Sequence, residues 1–190
     1  MDQLVSGIST LDLRGNYYPC QLLLRGDQAF PVVKTSKGQV VVAASYYGRG
    51  KMVVTAHEFI PPSPPVLPFI KNALEWLKPS PRSVVGFHSS MCSLHQALQG
   101  SGLKLKYGAT LGESIGVYCR DAYDDSETAE ILNFVKRGGG LLIGGQAWHW
   151  SSSNGKQNAL HAYPGNRITG LTGIYFTGEV AENGVFRVGR

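Results

Sequence analysis

The chain has 190 residues, enough for one compact domain or one domain with an appendage. Its hydrophobic fraction of 43% supports a real core and excludes a disordered chain. The formal net charge is +5, but the basic residues are spread from Arg14 to Arg137 without a clustered run, which excludes a dedicated nucleic-acid-binding module.

Three cysteines, Cys20, Cys92 and Cys119, stand far apart with no CxxC pair. That pattern fits a reducing compartment and argues against a disulfide scaffold. The opening MDQLVSGIST lacks the basic and apolar regions of a signal peptide. No apolar run approaches the ~18–20 residues of a membrane span. The expectation is a cytoplasmic chain with no direct membrane span.

The first third reads as strands. Residues 21–25, 30–35, 39–44 and 51–56 are short, β-branched or aliphatic runs. Gly26-Asp27, Ser36-Lys37-Gly38 and Gly48-Arg49-Gly50 separate them, as hairpin turns do. An antiparallel β meander over 1–60 follows. Residues 61–68 (PPSPPVLP) form a Pro-rich connector, because proline fixes φ and removes a donor. They also carry a PxxP spacing that aromatic grooves recognise.

After the connector the rhythm alternates. Residues 69–78 carry apolar positions at helical spacing, and 83–88 read as a buried strand. A short helix over 93–99 ends at Gly100, and strands follow at 104–109 and 115–119. Residues 124–137 make the clearest helix, with Ser126 as its cap and Lys136-Arg137-Gly138 at its end. Residues 141–144 are a fully buried strand. Residues 157–162 and 173–177 give a last short helix and strand. Strands alternating with helices predict a parallel sheet with helices on both faces over 69–190.

Gly138-Gly139-Gly140 is no phosphate loop: it follows a helix and precedes a strand, the reverse of what anion binding needs. Gly144-Gly145-Gln146-Ala147-Trp148 follows a buried strand, where doubly wound sheets place ligands and where a nucleophile elbow sits. The elbow centre falls on Gln146, and an amide offers no nucleophile. Gly145, Gln146, Trp148 and His149 are therefore candidates to line a ligand or partner crevice, with Cys119 at the end of a neighbouring strand as a candidate thiol. His57-Glu58 begins like a zinc-peptidase HExxH, but position 61 is Pro61. No metal site, cofactor or catalytic residue is expected.

Four runs carry a resemblance: CQLLLRGDQAFPVV, AASYYGRGKMVVTAHEFIPPSPP, VKRGGGLLIGGQAWHW and YPGNRITGLTGIYFTGEV. Together they resemble the N-terminal region of the TRP channel-associated factor family. The resemblance implies a flavodoxin-like, class I glutamine amidotransferase-like fold, degenerate because Gln146 stands where working enzymes carry cysteine. It implies a non-catalytic module that binds the cold-sensing TRP melastatin channel. It further implies effects on channel trafficking to the plasma membrane, on gating and on cell migration. Full-length members resemble zinc metallopeptidases in their C-terminal half, but no HExxH occurs in this chain. The alternative is a small-molecule-binding or hydrolase-like domain with a site near Cys119 or Gln146.

Overall fold

The computed structural model describes residues 2–15, 18–58, 65–112 and 114–188. In chain order the strands are β1 (Thr10–Asp12), β2 (Cys20–Leu24), β3 (Ala29–Lys34), β4 (Val40–Tyr47), β5 (Gly50–Thr55), β6 (Val85–Phe87), β7 (Leu105–Tyr107), β8 (Val117–Asp121), β9 (Gly140–Gly144), β10 (Ile174–Val180) and β11 (Val185–Arg187). The helices are α1 (Leu67–Leu77), α2 (Cys92–Ala97), α3 (Thr128–Lys136), α4 (Ala147–Ser153), α5 (Ala159–Ala162) and α6 (Gly165–Thr169).

One sheet runs β10-β2-β4-β5-β9-β8-β6-β7, with β3 paired to β4 beside this path. Strands β5, β9, β8, β6 and β7 are mutually parallel. The order β7-β6-β8-β9 is that of flavodoxin-type doubly wound sheets. The next place is taken by β5, which comes earlier in the chain. β5 is thus a seam, antiparallel to β4 on one edge and parallel to β9 on the other, from Lys51↔Gly140 to Thr55↔Gly144.

The sheet is continuous across both halves of the chain. The division at 61–68 does not divide the sheet, because β5 continues the meander into the parallel half. The meander itself holds for β3, β4 and β5, while β2 lies between β4 and β10. Of the connector, 61–64 lie outside the described residues, and Leu67 and Pro68 are already helical. Proline is tolerated there because the first helical amides have no intrahelical partner.

Side-chain alternation along the seam puts helices on both faces. On one face Lys51 donates to the Trp76 carbonyl at 2.8 Å, and a Cβ on Gly140 would meet Leu77 of α1. One residue earlier the contacts change sides: a Cβ on Gly50 would run into the Val135 carbonyl of α3, and one on Gly139 into the Phe134 ring. Glycine is required at both levels for helix and sheet to approach so closely. α1 buries Phe69, Ile70, Ala73, Leu74, Trp76 and Leu77 along one stripe. Each larger side chain among them contributes about 1.5–3 kcal/mol by leaving water.

At the β10 edge, Asn166 acts as a substitute strand. The Phe176 amide donates to its Oδ1 at 2.7 Å, and its Nδ2 donates to the Phe176 carbonyl at 2.9 Å. The expected helix over 124–137 begins later, at Thr128. Its cap position is Glu127, and Ser126 instead donates to Asp124 at 2.6 Å. The cause is Arg120 on β8, whose side chain is fully buried. Its guanidinium meets Glu127 at 2.9 Å, Asp124 Oδ2 at 3.3 Å and the Asp124 carbonyl at 3.1 Å, holding 124–127 as a turn.

Candidate functional site

The carboxyl ends of β5, β8 and β9 converge where a doubly wound sheet places its ligands. β9 ends at Gly144, the chain bends through Gly145 and Gln146, and α4 begins at Ala147 with Gln146 at the cap position. This is the strand–turn–helix geometry expected for an elbow.

The backbone amides of Gly145 and Gln146 are both engaged by the protein itself. The Gly145 amide donates to the Thr55 carbonyl at 3.2 Å. The Gln146 amide donates to Tyr123 Oη at 2.8 Å, and Tyr123 donates onward to Glu58 at 3.1 Å. The Gly145 carbonyl accepts from Cys20 Sγ at 3.7 Å. The Gln146 side-chain amide and the Trp148 indole both donate to the Tyr18 carbonyl, at 2.9 and 2.8 Å. A Cβ on Gly145 would collide with Tyr163 Oη, so only glycine fits beneath the aromatic group of Tyr123, Trp150, Tyr163 and Phe176.

The proposed crevice residues therefore separate. Gly145, Gln146 and Trp148 do meet, but the two side chains clasp the segment before β2. His149 is exposed on α4, its ring 5.6 Å from that of Trp148. Cys119 is not a crevice residue: it lies fully buried within β8, opposite Leu142, and burial pushes its thiol well above the ordinary range. The thiol that reaches the bend is Cys20, also fully buried and pushed up to about 12, so it stays protonated. Neither position supplies a thiolate.

Electrostatics at this end are dominated by burial. The Glu58 carboxyl is raised above its usual range by desolvation, against the lowering effect of the Tyr123 hydroxyl and of nearby His149. Desolvation also lowers His57 to about 4. Among the described residues, no group of three or more metal-ligating side chains comes together.

Sequence reasoning missed Cys20, Glu58, Tyr123 and Tyr163. The rule that pointed beyond the end of β9 applies equally beyond β5 and β8, and there it selects Glu58 and Tyr123. Tyr163 and Cys20 reach the bend from distant elements, and no local pattern marks them.

The fold and bend together define a doubly wound α/β domain whose elbow is bound up by its own chain. Residues 1–190 match the family model described as "TRPM8, N-terminal domain" (TCAF_N). The chain belongs to this family. It is 46% identical over 189 residues to TRPM8 channel-associated factor 2 of Bos taurus and 44% identical to that of Homo sapiens, covering all of this chain and 21% of each relative. TRPM8 channel-associated factor 1 of Homo sapiens is 41% identical over 189 residues, with 20% of its length covered. The chain thus spans about a fifth of the relatives it matches. Among solved structures it is similar to the IMPa metallopeptidase from Pseudomonas aeruginosa, with TM-score 0.68, 16% identity, and 99% of this chain and 22% of that one covered. At that identity the likeness concerns the fold alone.

Proposed function

We propose that this chain is a non-catalytic protein-interaction module that associates with TRPM8 or a related TRP melastatin channel, as a peripheral component at the cytoplasmic face of the plasma membrane. On this reading it influences channel delivery and gating, and through them cell migration, and its scaffold is a degenerate amidotransferase-like one. Family membership supports the channel partner, because the relatives are named for that association.

The observation that carries the non-catalytic part is the occupied elbow. Covalent catalysis at such a bend needs a nucleophile and free amides for the developing oxyanion. Here the crest residue is Gln146, and its amide is already donated to Tyr123. A hydrolase-like site at Cys119 or Cys20 is less well supported, since both thiols are buried and held protonated.

The test is a pull-down of the chain against the cytosolic segments of TRPM8, with a full-length TRPM8 channel-associated factor as positive control. Retention of the channel segments is the expected result. Retention by the control but not by this chain would move the channel surface to the remainder of the longer proteins. Thiol labelling at neutral pH checks the other half: Cys20 and Cys119 should react far more slowly than a free thiol.

A further inference from the structure

The end of the sheet opposite the elbow carries a basic edge that the scattered cations of the sequence conceal. The β4–β5 turn lies against the end of α3: the Arg49 amide donates to the Lys136 carbonyl at 3.0 Å, and a Cβ on Gly138 would touch Arg49. Arg49, Lys136 and Arg137 are exposed there, and Arg25 lies across the adjoining cleft. None of these four side chains makes a hydrogen bond or ion pair among the described residues, whereas Arg14, Lys78, Arg120 and Arg167 each hold a carboxylate.

A cleft flanks this cluster on each side. One, of about 510 Å³, is walled by Tyr46, Tyr47 and Tyr175, with Leu171 at 66% exposure on its rim. The other, of about 290 Å³, is lined by Pro79, Ile115 and Phe134 together with Arg137. Gly48 belongs to the first cleft and Gly138 to the second, and these two glycines meet the Arg49–Lys136 contact between them. Among the residues lining both clefts, Asp27 is the one carboxylate.

We propose that this edge is a docking groove for an extended acidic segment of a partner protein, with carboxylates over Arg49, Lys136 and Arg137 and an apolar side chain in each cleft. Unpaired cations between a tyrosine-walled recess of mixed polarity and an apolar one complement a chain of that pattern. A bilayer surface supplies negative charge but cannot enter either recess. The proposal concerns a surface remote from the elbow and stands independently of the channel reading.

The experiment titrates the 190-residue chain into a fluorescein-labelled peptide that has a central run of glutamates between leucine-rich ends. Saturable binding is expected, weakening as salt rises. The double variant Arg49→Glu/Arg137→Glu should weaken it by about tenfold or more while the chain stays folded, as far-UV circular dichroism checks. Leu171→Ala, at an exposed position, should weaken it without changing its salt dependence. No saturable binding, or equal binding by the charge-reversal variant, overturns the proposal. Co-sedimentation with phosphatidylserine vesicles that the peptide does not compete away overturns it in favour of a membrane surface.

Discussion

Tyr123 is the residue on which the elbow turns. Its hydroxyl accepts from the Gln146 amide and donates to Glu58, so one oxygen ties the end of β8 to the ends of β9 and β5. Tyr123→Phe leaves a part-buried amide and a part-buried carboxyl without that partner, and should destabilise the fold by about 1–2 kcal/mol in urea unfolding. Two titrations belong to the same scale. His57 falls from an ordinary 6.5 to about 4 on folding, so the unfolded chain binds the proton more readily. Its contribution is present above pH 6.5 and lost as pH falls toward 4, at most about 3 kcal/mol, and His57→Gln should flatten that slope. Glu58 has the opposite sign. Its folded value lies above the ordinary 4.5, so it favours the fold when protonated, and that stability is lost as pH rises past 4.5 and through the folded value. Glu58→Gln should remove this loss, and separate pH–stability curves for the two variants distinguish them.

Between elements, the junction of β8 with α3 depends on a buried cation. Arg120 is fully enclosed, while Glu127 and Asp124 are 31% and 54% exposed at the side chain. Removing the nearer, better-buried carboxylate leaves the guanidinium with the more exposed Asp124 as its one charged partner among the described residues, so Glu127→Ala should cost about 3 kcal/mol and Asp124→Ala clearly less, measured by chemical unfolding. Glu127 also accepts from Tyr118 at 3.0 Å, which widens that difference. This junction shows where sequence reasoning stops. Lys136-Arg137-Gly138 marks the end of the helix as expected, and Ile131 and Val135 are the residues it buries. The first turn was misplaced because Ser126 is a good cap by type, and nothing local announces that an arginine five residues before the Asp125-Ser126 pair will hold the turn open. β1, β11 and α6 were missed for a related reason. All three are short; β1 and β11 exist through pairing with each other, such as Thr10↔Arg187, and α6 is too short to show a periodicity of its own.

Across the whole molecule, the seam at β5 makes the meander and the doubly wound half interdependent. Phe30, Tyr46 and Trp76 meet between them in tilted and edge-to-face contacts at 5.7–6.3 Å, and Lys51 lies 4.9 Å over the Trp76 ring. Emission from Trp76, whose ring meets Phe30 and Tyr46 of the meander, and from Trp148, at the elbow, should therefore change in one coincident urea transition, each followed in a variant keeping only that tryptophan. Separate midpoints would mean two units. The parallel half was readable because buried strands and amphipathic helices alternate there. Its fusion to the first sixty residues was not, because a strand's second neighbour depends on which edge it presents. Asn166 has a consequence at this largest scale. By already making both outward bonds of Phe176, it leaves an incoming β-strand nothing to pair with at that point unless the amide is first displaced. Fibre-like growth by strand addition is blocked there, and self-association must begin elsewhere on the surface.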